Sequence, residues 1–152
     1  MYKRQVTNKK IALFGFSFKA NTNDTRESPS ISIAKDLLEN GANLMITDPQ
    51  VLPHQIEKEL GLTQSDSFSD LAGSWRFTKN LEECVKDADA IVIFTSWEEY
   101  KEFDFNSYSK LMRKPSWIFD TRKIISKDNL KGSGIKFWQI GMGTKNYPQA
   151  FQ

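Results

Sequence analysis

The sequence has 152 residues, of which 39% are hydrophobic and 26% are charged, and its formal net charge is +2. This composition is typical of one globular domain, and so small a net charge excludes a global field that would attract nucleic acid or an anionic membrane. The single cysteine excludes an intrachain disulfide and suits a reducing compartment, and no apolar run approaches the roughly 18 residues that a membrane span needs.

The first predicted strand runs from Lys10 to Phe16, and its nearly continuous apolar run is typical of a strand buried on both faces. Residues 1–9 before it are expected to be a linker or a truncated start. A polar loop follows, and the first helix is predicted to begin at Ser28, a good N-cap, with Pro29 in its first turn. Gly41 supplies a left-handed stop to this helix. Its apolar stripe is formed by Ile31, Ile33, Ala34, Leu37 and Leu38.

Further strands and helices alternate along the rest of the chain. Strands are predicted at residues 43–47, 75–78, 88–95, 117–120 and 136–140. Helices are predicted at residues 53–60, from the capping box that starts at Asn80 to about Lys86, and from Asp104 to Arg113. A surface loop is predicted at residues 64–74, and a tail at residues 142–152.

Strands that alternate with helices predict an α/β fold, a single Rossmann-like domain at residues 10–141. Its sheet is expected to be doubly wound and mostly parallel, with helices on both faces. In such a sheet ligands bind beyond the carboxyl ends of the strands, at the point where the strand order reverses. The order is expected to reverse between the first strand and the strand that ends at residue 95.

Three polar segments from distant parts of the sequence follow strands near that point. They are Phe18-Lys19, Thr95-Ser96-Trp97 and Asp120-Thr121-Arg122. The loop at residues 15–29 also leads into a helix N-terminus, which favours anions. Lys19 and Arg122 are therefore predicted to flank one diphosphate, for which arginine offers a bidentate fork. The alternative is that both are surface cations, paired with Asp24 and Asp120.

The first loop is not a dinucleotide fingerprint, because Ser17 and Ala20 stand where the G-x-G-x-x-G motif has its second and third glycines. Asp48, at the end of the second strand, has two interpretations. It binds ribose hydroxyls, as in classical NAD domains, or it forms a turn with Pro49. A stand-alone NAD- or nucleotide-binding module is therefore an alternative function, and a purely structural or oligomerisation module is another.

No catalytic residue and no metal site are predicted. Cys84 is the only thiol, and it lies on the apolar face of a predicted short helix, where a thiol is inert. His54 is the only histidine, and a surface role is expected for it. Of the four tryptophans, Trp97 is the one expected to line the crevice, and the others are expected in the core or at the rim.

The chain carries several motifs in a family's order: Gly15-Phe16-Ser17-Phe18-Lys19, Asn23-Asp24-Thr25-Arg26-Glu27-Ser28, Thr47-Asp48-Pro49, Ala88-Asp89-Ala90, Thr95-Ser96-Trp97-Glu98 and Phe119-Asp120-Thr121-Arg122. Together they closely resemble the carboxyl-terminal domain of the nucleotide-sugar dehydrogenases, the UDP-glucose/GDP-mannose dehydrogenase family. Within the family, the members that oxidise UDP-glucose are the most similar. The resemblance extends from about Lys9 to Ile140, and the first-loop motif is its most specific part.

This resemblance implies a function for the domain. Enzymes of the family oxidise the C6 alcohol of a sugar to a carboxylate, as in the conversion of UDP-glucose to UDP-glucuronate, in two NAD-dependent steps through a cysteine-bound thiohemiacetal. The domain resembled here binds UDP. By position, Phe18, Lys19 and Arg122 would contact UDP-glucose, and Arg26 would reach the NAD that is bound mainly by an amino-terminal domain.

The resemblance also implies partners. The NAD-binding domain, the helical region and the nucleophilic cysteine of the family are not in this sequence, so we expect the chain to be a fragment that is inactive alone. The intact enzyme is expected to be a cytoplasmic homodimer or larger homo-oligomer, without nucleic-acid or membrane partners. Relatives that use GDP-mannose or UDP-N-acetyl sugars leave the choice of nucleotide sugar open.

Overall fold

Strands and helices alternate along most of the chain, as predicted. The computed structural model describes residues 6–68 and 72–141. In chain order its elements are β1 (Lys10–Phe14), α1 (Pro29–Glu39), β2 (Asn43–Thr47), α2 (Pro53–Leu60), β3 (Ser74–Phe77), α3 (Leu81–Val85), β4 (Ala90–Ile93), α4 (Glu98–Glu102), α5 (Phe105–Tyr108), β5 (Trp117–Asp120) and β6 (Lys136–Gln139). Short 3-10 turns occupy Ser109–Leu111 and Lys127–Leu130.

The six strands form one sheet in the order β3-β2-β1-β4-β5-β6, and every neighbouring pair is parallel. β1 lies at the centre, with Ile11 beside Leu44 of β2 and beside Ala90 of β4. The strand order reverses between β1 and β4, so the predicted Rossmann-like α/β fold is confirmed. The crevice expected for a ligand therefore lies beyond the carboxyl ends of β1 and β4.

The core has two apolar layers, one on each face of the sheet. Ile11 and Leu13 of β1 point to the face covered by α1 and α2, which contribute Ala34 and Ile56. Alternate β1 residues such as Phe14 point to the other face, which α3, α4 and α5 cover. Because both faces of β1 are covered, this strand is apolar without alternation.

Helix α1 starts and ends near the predicted residues. Gly41 follows its last turn with a φ of +85°, and its N–H donates to the carbonyl of Leu38 at 3.0 Å. Ala34 is fully buried, whereas Ile33 is 39% exposed, so the predicted apolar stripe is wrong at Ile33. Ile33 lies one helical position away from Ala34, about 100° around the axis, which turns it to solvent.

The predicted helix from Asp104 to Arg113 is wrong in extent. Within this range lie α5 and the 3-10 turn after it, which ends at Leu111. The short helix α4 lies before the range and was not predicted, and Phe103 between α4 and α5 has an extended backbone. The Asp104 side chain accepts a hydrogen bond from the Ser107 N–H at 3.0 Å and so starts a new helix. The rings of Phe103 and Phe105, 4.9 Å apart, pack at the bend, and this requires a break in the helix.

Residues 6–9 are tied to the end of α1, where the Asn8 N–H donates to the carbonyl of Gly41 at 2.9 Å. The rest of the predicted linker, residues 1–5, and the predicted tail, residues 142–152, lie outside the described residues, as do residues 69–71 of the predicted surface loop. Within the described ranges, no helix combines the length and the apolar character that crossing a membrane requires.

Candidate functional site

The loop after β1 begins at a residue that has to be glycine. Gly15 has a φ of +101°, and its N–H donates to the carbonyl of Thr47 at the end of β2, at 2.8 Å. A Cβ atom on this residue would lie 2.2 Å from Oγ1 of Thr95. Glycine therefore allows the loop to pass directly over the end of β4.

Asp48 fixes the next part of the loop. Its side chain is fully buried, and Oδ2 accepts hydrogen bonds from the N–H groups of Phe16 and Ser17 at 2.8 and 3.0 Å. Oδ1 accepts two more from Gln50 and Val51, both at 2.9 Å. This carboxylate is therefore a structural anchor between two loops, and it is not exposed for a ribose.

Hydroxyl groups complete the anchoring of this loop. Ser30 donates to the carbonyl of Phe16 at 3.1 Å, and Thr95 donates to the carbonyl of Ser17 at 3.2 Å. Ser28 stands at the N-cap of α1, but its side chain makes no capping hydrogen bond. Its Oγ lies 2.6 Å from that of Ser30 and 3.4 Å from the carbonyl of Ser17, so the predicted side-chain cap is replaced by a contact with the loop.

Phe18 and Lys19 lie at the outer rim of this anchored loop. Phe18 is 43% exposed, although its backbone N–H donates to the carbonyl of Asp24 at 2.7 Å. The Lys19 side chain is exposed, and it takes part in none of the ion pairs formed between described residues. The backbone that carries both side chains is thus fixed, and both side chains face solvent.

Arg26 and Asp24 form an ion pair beside this rim. Two guanidinium nitrogens of Arg26 reach the Asp24 carboxylate, Nη2 at 2.8 Å and Nε at 3.0 Å. These hydrogen bonds lower the pKa of the Asp24 carboxyl to about 2. The Arg26 side chain is still 86% exposed, and together with Phe18, Asp24 and Glu27 it lines a pocket of about 480 Å³.

Arg122, beyond the end of β5, contacts the same loop. Its Nε donates to the carbonyl of Phe94 at 2.8 Å, and its Nη2 donates to the carbonyl of Phe18 at 3.2 Å. The guanidinium therefore lies against the peptide group that joins Phe18 to Lys19, and it retains further N–H donors for a ligand. The proposed pairing with Asp120 is not formed by the side chain, because Asp120 accepts the backbone N–H of Arg122 instead, at 3.0 Å.

Three other predicted positions have clear outcomes. Trp97 is 6% exposed and belongs to the core layer under α4, so the prediction that it lines the crevice is wrong. Its Nε1 has no hydrogen-bond partner within the described part of the chain. Cys84 is fully buried, and burial raises the pKa of its thiol, in agreement with the inert role predicted for it. His54 is exposed on α2, as expected.

Two features of the site were not predicted: the carbonyl groups that hold Arg122, and the anchoring role of Asp48. The carbonyl groups of Phe94 and Phe18 hold the Arg122 guanidinium, and any residue type provides a carbonyl, so no sequence signal marks them. The anchoring role of Asp48 has a signal that is only partial, because an Asp-Pro pair indicates a turn but not which N–H groups the carboxylate accepts.

Comparison with known proteins gives consistent matches. A sequence profile described as "UDP-glucose/GDP-mannose dehydrogenase family, UDP binding domain" matches residues 12–127. UDP-glucose 6-dehydrogenase 2 of Arabidopsis thaliana is 38% identical over 149 residues, and UDP-glucose 6-dehydrogenase of Pongo abelii is 40% identical over 152. These matches cover 90% and 95% of this chain, which spans about 30% of the length of each relative.

Solved structures agree with this match. An NDP-N-acetyl-D-galactosaminuronic acid dehydrogenase from Methanosarcina mazei superposes with a TM-score of 0.70 at 27% identity, over 90% of this chain and 25% of its own. A UDP-D-ManNAc dehydrogenase from Pyrococcus horikoshii gives 0.66 at 28% identity, over 90% of this chain and 26% of its own.

Proposed function

Because the chain belongs to the UDP-glucose/GDP-mannose dehydrogenase family and matches its UDP-binding domain, we propose that Phe18, Lys19 and Arg122 bind the UDP part of UDP-glucose. One observation carries the proposal. The Arg122 guanidinium donates to the carbonyl of Phe18, a residue 104 positions away in the sequence, so cations from two loops share one rim. The position of this rim, beyond the end of β1 where the strand order reverses, supports the same proposal.

The three residues have different tasks in this proposal. Arg122 is held by two carbonyl groups and presents its remaining N–H donors in a fixed direction, which suits bidentate contact with a phosphate. Lys19 carries an exposed positive charge on a flexible side chain, which adjusts its conformation to contact the ligand. The exposed ring of Phe18 offers an apolar surface between them.

For NAD, the described residues of this chain do not form a dinucleotide site. The first loop lacks the glycine pattern, and the Asp48 carboxylate is buried and occupied by four N–H groups. Arg26, which is 86% exposed beside the rim, is the residue that we propose to contact an NAD molecule bound mainly by another part of the enzyme.

The intact enzyme is proposed to be an NAD-dependent oxidoreductase that converts UDP-glucose to UDP-glucuronate. Its nucleophilic cysteine would lie outside this chain, since Cys84 is fully buried. The 152-residue chain is therefore proposed to bind substrate without turnover. A cytoplasmic homo-oligomer is proposed for the intact enzyme on the family resemblance.

A second substrate class has support from the solved structures. The two dehydrogenases that superpose with TM-scores of 0.70 and 0.66 are named for N-acetylated sugars. A UDP-N-acetyl sugar is therefore the alternative substrate, and it would share the UDP contacts with UDP-glucose.

Calorimetric titration of the chain with UDP, UDP-glucose, a UDP-N-acetyl sugar and GDP tests the proposal. Arg122→Ala or Lys19→Ala removes a charge-assisted contact of about 1.5–3 kcal/mol, so UDP affinity is expected to fall about 10- to 100-fold. Lys35→Ala, an exposed lysine on α1, is the matched control and should bind UDP as the wild type does. Equal UDP affinity of the wild type and all three variants would contradict the proposal. Tighter binding of GDP than of UDP by the wild type would show that the nucleotide is a guanine nucleotide.

A further inference from the structure

The turn that carries Arg122 is built around one buried carboxylate. Asp120, the last residue of β5, is fully buried. Its Oδ1 accepts the N–H of Arg122 at 3.0 Å, and its Oδ2 accepts the N–H of Ile125 at 2.9 Å. Lys123 between them has a φ of +58°, so the backbone closes a tight turn over the carboxylate.

The edge strand β6 reaches the same carboxylate. Nε2 of Gln139 donates to Oδ2 of Asp120 and to the carbonyl of Ile125, both at 2.9 Å. The side chain of Gln139 thus joins the two ends of the turn. Among the described residues, three N–H groups donate to the carboxylate, and one of them belongs to the backbone of Arg122 itself.

We propose that Asp120, supported by Gln139, is a positioning residue for Arg122, an inference that rests on the function proposed above. The Arg122 guanidinium can reach the carbonyl groups of Phe94 and Phe18 only from a backbone held at the end of β5. A carboxylate accepts hydrogen bonds from several N–H groups at once, and Asp120 in this way holds the backbone of the turn that carries Arg122. Asp120 therefore acts on the ligand through Arg122 and does not touch it.

UDP titration of single and double variants tests this inference. Asp120→Asn keeps the shape of the side chain but turns an NH₂ group toward N–H donors, so UDP binding is expected to weaken about tenfold. The double variant Asp120→Asn/Arg122→Ala is expected to bind no more weakly than Arg122→Ala alone, because the residue being positioned is gone. Wild-type affinity of Asp120→Asn, or losses that add in the double variant, would overturn the inference.

A second measurement does not depend on UDP. Phenylglyoxal modifies arginine, and mass spectrometry gives its rate at Arg122 relative to the exposed Arg26 in the same sample. Asp120→Asn is expected to raise this ratio several-fold, and Gln139→Ala to raise it less, which keeps the test valid if the first variant does not fold. An unchanged ratio in a folded variant would overturn the inference.

Asp89→Asn is the matched control. Asp89, a partly buried carboxylate just before β4, accepts the Lys10 N–H and pairs with Arg113, and it lies at the amino end of the sheet. This variant should lose stability without changing UDP affinity or Arg122 labelling. If the wild type binds no UDP, or if Arg122→Ala binds it normally, the proposed function fails, and the labelling ratio still decides the role of Asp120.

Discussion

Substitution of Asp48 by asparagine separates the two interpretations of this residue, ribose ligand and structural anchor. The carboxylate accepts four backbone N–H groups, two on each oxygen, at 2.8 to 3.0 Å. An asparagine has one acceptor oxygen, so Asp48→Asn loses two of these hydrogen bonds and turns its NH₂ group toward two N–H donors. The folded state should therefore be strongly destabilised.

The size of the effect follows from the number of lost contacts. Hydrogen bonds to charged groups contribute about 1.5–3 kcal/mol each, so two of them amount to about 3–6 kcal/mol. Domains of this size have a free energy of unfolding of about 5–15 kcal/mol, so the loss is a large share. With a urea dependence of about 2 kcal/mol per molar, the unfolding midpoint should fall by about 1.5–3 M.

Urea denaturation followed by circular dichroism measures the change, with Asp36→Asn as the control. Asp36 is exposed on α1, and its substitution should change the free energy of unfolding by less than about 0.5 kcal/mol. Equal midpoints for wild type and Asp48→Asn would refute the structural argument. If NAD raised the midpoint of the wild type but not that of Asp48→Asn, the ribose interpretation would be correct.

Three further predictions concern the loop and the core. The Asp24 carboxyl should titrate near pH 2 by NMR because Arg26 lowers its pKa, and Arg26→Ala should return the pKa toward about 4. The pair stabilises the fold above about pH 4, and this stabilisation is lost as the pH falls toward 2; a normal Asp24 pKa in the wild type would be inconsistent with the contact. Cys84 should resist iodoacetamide at pH 8 until the chain unfolds, because burial raises its pKa, and rapid labelling of the folded protein would contradict its burial. Gly15→Ala should lower the melting temperature by several degrees, because its Cβ would clash with Thr95, and an unchanged melting temperature would show that the loop can move away.

The strands were predictable because the sheet is buried on both faces at its centre. β1 and β4 are continuous apolar runs, and such runs indicate parallel strands in a sheet covered by helices. The alternation of strands and helices then restricted the topology to a doubly wound sheet. The order of the strands places the ends of β1, β4 and β5 at one edge, and this is why the positions of Lys19 and Arg122 near one another could be predicted from the sequence.

The short helices were less predictable. α4 has five residues and one buried side chain, Tyr100, so it carries no apolar period that a sequence window could detect. The break at Phe103 depends on ring packing against Phe105 and the sheet, which is a tertiary effect. The helix predicted from Asp104 was correct at its N-cap but too long at its other end, because α5 ends at Tyr108 and a 3-10 turn follows it.

The contacts that fix the loops could not be predicted from local sequence. Asp48 accepts the N–H of Phe16 from 32 residues away, and Ser28 contacts the carbonyl of Ser17 where a helix cap was expected. Backbone donors and acceptors have no residue-type signature, so only the folded chain shows which of them a side chain meets.

The hydrogen bond between Arg122 and the Phe18 carbonyl also has a consequence for synthesis of the protein. A ribosome releases Phe18 before Arg122, which follows 104 residues later. A nascent or prematurely terminated polypeptide would thus carry the loop after β1 without the guanidinium that contacts its Phe18 carbonyl. The contact between the two loops is therefore complete only after Arg122 has been translated.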